Sequence, residues 1–69
     1  MATKAKRAFY AHASYPEMGQ VPGEVRWDAY DKCNYFFPDE EHAAALDDAT
    51  GGDSESGYYI NSKVTITYV

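Results

Sequence analysis

The side chains in this sequence that could do chemistry are mostly carboxylates. Asp47, Asp48, Asp53 and Glu55 lie close together and offer the hard oxygen donors that a divalent cation takes. A calcium loop, however, needs acids or amides at alternate positions, a glycine at the sixth and a bidentate glutamate at the twelfth. This spacing does not supply that pattern. His12, His42 and Cys33 are the remaining metal-binding types. A zinc site needs four converging donors, and two lone histidines on separate elements do not make one. His42 is instead expected to pack between a helix and a sheet. No Ser-His-Asp or Cys-His set and no phosphate-cradling glycine loop is present. Cys33 has no identifiable activating base and reads as a small half-buried hydrophobe. The sequence therefore points away from an enzyme and calls for no cofactor and no metal.

The chemistry left to the carboxylates is recognition by charge. Residues 1–26 carry Lys4, Lys6, Arg7 and Arg26 against Glu17 and Glu24, a net of +2. Residues 27–62 carry nine acids against Lys32 alone, a net of −8. Such segregation creates a strong local field. Glu40, Glu41, Asp47 and Asp48 are expected on one side of a helix, in pairs about 10.5 Å apart along its axis, with no Lys or Arg four residues on to neutralise them. Solubility alone accounts for Asp39, Glu40 and Glu41, because acids are favourable at a helix N-terminus. It accounts poorly for Asp47 and Asp48, which stand in the last turn where the helix dipole disfavours them. Seven Tyr, three Phe and one Trp add ring surface. A core this small cannot hold them all with their hydroxyls satisfied, and exposed Tyr favours interfaces.

The elements that must position these groups follow from the pattern. Residues 5–15 alternate, Phe9, Ala11, Ala13 and Tyr15 against Tyr10, His12 and Ser14, which argues for a strand. Residues 16–23, with two Pro and two Gly, read as a loop. Strands over 24–30 and 34–37 form a hairpin, a single irregular strand being the alternative. Asp39 caps a helix over 39–50 whose apolar stripe is His42, Ala45, Leu46 and Ala49, and Gly51 stops it. Residues 51–57 read as a polar loop with little to order it. Residues 58–69 are strand-like, with Asn61-Ser62 turning a hairpin or marking a bulge. The sum is α+β: one domain over 1–69, with a three- to four-stranded, mostly antiparallel sheet, one helix packed on one face, and the first and last strands paired.

Length and composition bound the function. A chain of 69 residues makes one small domain. A single cysteine rules out an internal disulfide, and no secretory signal or membrane-spanning run is visible, so the cytoplasm (of a host, for a viral protein) is the expected compartment. The net charge of −5 argues against direct nucleic-acid binding, although Lys4, Lys6, Arg7, Phe9 and Tyr10 form a weak stacking motif. The expected function is that of a small acidic protein-binding module, an inhibitor of the phage-encoded, nucleic-acid-mimicking kind. It would occlude the basic surface of a nucleic-acid-binding protein or complex. Glu40, Glu41, Asp47, Asp48, Asp53 and Glu55 would stand in for phosphates, with Tyr30, Tyr35, Phe36, Tyr58 and Tyr59 as anchors. The alternative is a structural or assembly subunit. It would form a small homo-oligomer through exposed aromatics and the edge strand bearing Val64, Ile66, Tyr68 and Val69.

Overall fold

The computed structural model describes residues 5–69; Lys4, counted above with the basic segment, lies outside them. The strands are β1 (Lys6–His12), β2 (Val21–Asp28), β3 (Cys33–Pro38), β4 (Tyr58–Tyr59) and β5 (Val64–Tyr68), with helix α1 (Glu40–Thr50) between β3 and β4. The chain is thus α+β. The sheet has five strands rather than three or four, in the order β4-β3-β2-β1-β5, and every pairing is antiparallel. The β2–β3 hairpin forms, and the first and last strands pair.

One added stretch of strand comes from residues that read as loop. β2 begins at Val21 and runs through Pro22 and Gly23. Proline lacks a donor, but here it lies where β3 ends, and only its carbonyl is used, accepting from Asp39 N–H at 3.0 Å. A Cβ on Gly23 would sit 2.4 Å from the Phe37 carbonyl oxygen and 2.6 Å from the Phe36 ring. Glycine is there because a ring packs onto the backbone, not because the chain turns.

The other added strand comes from the C-terminal segment. Asn61-Ser62 does not turn a hairpin, since β4 pairs with β3 and β5 with β1, at opposite edges of the sheet. Five residue steps separate Tyr59 from Val64, about 17 Å at full extension, whereas the edges of a flat five-stranded sheet lie about 19 Å apart. The sheet must curl for so short a link to join its edges. The Tyr10 and Tyr58 rings, from strands three positions apart, accordingly meet at 5.7 Å inside the curl.

The inner face holds the core: Ala8, Tyr10, Val21, Val25, Phe36 and Tyr58 from the strands and Leu46 from α1. Cross-strand register puts them together, with Tyr10 opposite Val21, Val25 opposite Phe36 and Phe36 opposite Tyr58. Phe36 is fully buried and stacks on Tyr10 at 4.8 Å. Rings fill a space that a chain with one leucine and two isoleucines could not fill with aliphatic groups. α1 does not lie flat over one face. It borders β3 and β2 and commits a single fully buried side chain, Leu46.

The helix begins and ends as the sequence indicates, with Asp39 at the N-cap position and Gly51 in the left-handed conformation, φ 75°, donating to the Asp47 carbonyl at 2.7 Å. Its buried flank is different. Ala43, Leu46, Asp47 and Thr50 turn inward, while His42, Ala45 and Ala49 are exposed, so His42 does not pack between helix and sheet. Hydrophobicity alone picks the alanines. The partners waiting on β4 and in the following loop are hydroxyls, and they select Asp47 and Thr50.

Candidate functional site

The corner built by α1, the loop over residues 51–57 and β4 gathers most of the chain's chemistry. Its centre is Asp47. One carboxylate oxygen, Oδ1, accepts from Ser54 Oγ at 2.6 Å and from the Tyr58 hydroxyl. Thr50 Oγ1 lies 3.3 Å from the same hydroxyl and 2.8 Å from the Leu46 carbonyl oxygen. The hydrogen bonds from Ser54, and then from Tyr58, hold the Asp47 carboxyl below the ordinary carboxylate range, so it remains ionised. The Tyr58 phenol is pushed up to about 12, first by burial and then by the neighbouring carboxylate. Asp47 therefore does not project alongside Asp48 but ties the loop to the helix, whereas Asp48 is exposed.

The loop is also ordered from within. Asp53 accepts from Glu55 N–H at 3.0 Å and Ser56 Oγ at 3.2 Å, and its carbonyl accepts from Gly57 N–H at 3.1 Å. The signal for this order was present in the run Asp-Ser-Glu-Ser-Gly, which has the side chains that bond their own backbone. Asp39 is diverted from capping. Its two oxygens accept from the Arg7 guanidinium at 2.7 and 2.8 Å, and that pair holds the Asp39 carboxyl below its usual range.

The remaining candidates divide cleanly. Glu40, Glu41, Asp48 and Glu55 are exposed, and no side-chain hydrogen bond or ion pair engages them among the described residues. From Glu40 through Ser62 there are six acids and no Lys or Arg. Of the expected aromatic anchors, Phe36 and Tyr58 are core residues at 0% and 8% exposure and present no surface to a partner. Strand parity turns them inward. The same parity puts Tyr35 and Tyr59 on the outer face, opposite each other with rings 6.2 Å apart, and Tyr30 stands almost fully exposed on the β2–β3 turn. Tyr35 donates to Asp31 at 2.6 Å, and that bond raises its phenol. Gly57 brings the loop backbone against Phe37 and Tyr35, so the acidic corner adjoins the aromatic outer face. Arg26, counted above only as a charge, lies with its guanidinium 4.5 Å from the centre of the Phe37 ring while pairing with Glu24 at 2.8 Å.

The weak stacking motif at the N-terminus comes apart: Tyr10 is buried, Arg7 is bound to Asp39, and Lys6 leans over Tyr68 at 5.8 Å. His12 accepts from Ser14 N–H at 3.0 Å on β1, far along the chain from the exposed His42. Cys33 is half-buried. Among the described residues, no three His, Cys, Asp or Glu side chains converge on a metal position, and no helix is long and apolar enough to cross a membrane. The chain matches no protein-family model, and no curated protein or solved structure is significantly similar to it.

Proposed function

We propose that the protein is a non-enzymatic binding module, acting in the cytoplasm, that occupies the basic, nucleic-acid-binding surface of another protein. The observation that supports this reading is the α1–loop corner: a pinned surface with six carboxylates and no cation from Glu40 through Ser62. Four acids, Glu40, Glu41, Asp48 and Glu55, face solvent without partners among the described residues. Asp47 stays charged behind them and adds to the field. Preorganised carboxylates can replace phosphates without the entropy cost of ordering a loop on contact. Electrostatic steering then gives fast association that weakens as salt rises. Tyr59, Tyr35 and Tyr30 supply the ring surface beside the charge.

The test is capture of basic proteins from a bacterial lysate by the immobilised protein, with and without competing double-stranded DNA, beside a Glu41→Lys/Asp48→Lys variant. Capture that DNA displaces and that the variant loses supports the proposal. Capture indifferent to both would falsify it. Asp47 is left untouched in this variant because its carboxylate holds the loop.

A further inference from the structure

β5 forms one edge of the sheet, with β1 on one side of it and, among the described residues, no strand on the other. Val69 N–H donates to the Arg7 carbonyl and Ala13 N–H to the Lys63 carbonyl, so the odd-numbered residues of β5 make the hydrogen-bonded pairs with β1. Pairs alternate along an antiparallel ladder. Val64, Ile66 and Tyr68 therefore aim their N–H and C=O groups away from β1, at the sheet edge. The Val64 N–H is already taken by the Asn61 carbonyl at 3.1 Å. The N–H groups of Ile66 and Tyr68 and the carbonyls of all three have no partner among the described residues. Val-Thr-Ile-Thr-Tyr contains no charge and no proline, the usual devices that keep an edge from pairing. The opposite edge, β4, is two residues long and offers little template.

We infer that β5 pairs antiparallel with β5 of a second copy, about a two-fold axis at Ile66. Ile66 faces its own counterpart and exchanges two hydrogen bonds with it. Each Tyr68 N–H donates to the Val64 carbonyl across the axis, adding two more. This register overlaps all five residues of the strand and makes no demand on the Val64 N–H. It sets Thr65 opposite Thr67 of the other copy on the outer face, in the closer non-hydrogen-bonded pairs, where Thr–Thr contacts are favourable. Val64 meets Tyr68 on the other face; Tyr68 is 53% exposed without this partner. The strand is its own complement, which singles out a second copy over a foreign strand. Its five residues carry no charge, so two chains of net charge −5 can pair there without placing carboxylates face to face. A five-residue pairing falls below the roughly 1,200 Å² of a stable interface, so the dimer is weak and concentration-dependent.

The experiment compares sedimentation of the full chain, from about 20 µM to about 1 mM, with that of two variants at exposed positions. Thr65→Lys/Thr67→Lys sets like charges opposite each other in this register and is expected to be monomeric. Thr65→Lys/Thr67→Glu sets opposite charges there and is expected to dimerise at least as well as the parent at low salt, with that advantage shrinking as salt rises. Amide exchange at Ile66 and Tyr68 in the parent is expected to slow as concentration rises. A parent that stays monomeric at the highest concentration, or two variants that associate equally, overturns the inference. Circular dichroism confirms that both variants are folded. The capture assay reads α1 and its loop, so failure of either proposal leaves the other standing.

Discussion

The sheet and the α1–loop corner are held together by different physics. In the sheet, rings and small aliphatics close-pack inside a curl, with Phe36 completely buried and stacked on Tyr10. In the corner, one leucine is buried, and the rest of the joint is a carboxylate gripped by two hydroxyls. The contrast shows how a chain poor in aliphatic residues can still fix a charged surface. Apolar burial is spent on the sheet, and the charge that faces outward is anchored by a charge that faces inward. Asp47 and Asp48 are neighbours in sequence with opposite duties.

That contrast can be broken from the sheet side first. Phe36→Ala empties the centre of the ring core and should cost about 3–5 kcal/mol. In a domain this small that suffices to abolish a cooperative thermal transition, which calorimetry would show. Gly23→Ala attacks the same packing from the backbone, since the added carbon would overlap the Phe37 carbonyl and the Phe36 ring. A loss of about 1–3 kcal/mol is expected in urea titration. Unchanged stability would mean that β2 and β3 do not approach as closely as described.

The corner responds more gently. Tyr58→Phe keeps the buried ring and deletes the hydroxyl that reaches Asp47. A loss of about 0.5–1.5 kcal/mol is expected, with the Asp47 carboxyl moving up toward its ordinary value in a carbon-detected NMR titration. The same bonds set a pH dependence with a definite sign. Asp47 and Asp39 are held below the usual 3.8, so their contribution is complete above that value and disappears as pH falls through the lowered folded-state values. Tyr58, raised from 10.0 to about 12, contributes fully below pH 10 and loses its contribution as pH rises toward 12. Urea midpoints across pH should therefore decline at both ends. In Tyr58→Phe the alkaline decline should be reduced rather than removed, because Tyr35 is raised as well.

The smallest effect belongs to the outward face. Asp48→Lys places a cation in the last turn of α1, where the helix dipole favours it by about 0.3–1 kcal/mol. A slight gain in thermal midpoint is expected. A clear loss would show that Asp48, like its neighbour, has a structural partner, and would erase the distinction between the two flanks.

Local chemistry was legible in the sequence, and the parts decided by distant contacts were not. Asp39 and Gly51 marked the helix, alternation marked β1, and the strand-like runs over 24–30 and 34–37 marked the β2–β3 hairpin. Pro22-Gly23 misled because strand proline and glycine are informative only once the neighbouring strand and ring are known. The helix stripe was misplaced because a hydrophobic pattern has no term for a carboxylate whose partners, Ser54 and Tyr58, come later in the chain. β4 and β5 were fused into one strand-like segment because nothing within residues 58–69 indicates that the two halves join opposite edges. Of the candidate site, the acidic excess was visible in composition alone. Which acids are free and which are engaged depended on that unseen folding.

The order β4-β3-β2-β1-β5 also has a consequence for synthesis. β5, which flanks β1 in the sheet, follows all the other strands and α1 in chain order. A nascent chain halted anywhere before Tyr68 exposes one whole side of β1, along with the rings that β5 helps to shelter. Closing that side of β1 thus waits on the synthesis of β5, and until then the polypeptide depends on its negative charge to stay apart from its neighbours on the same message.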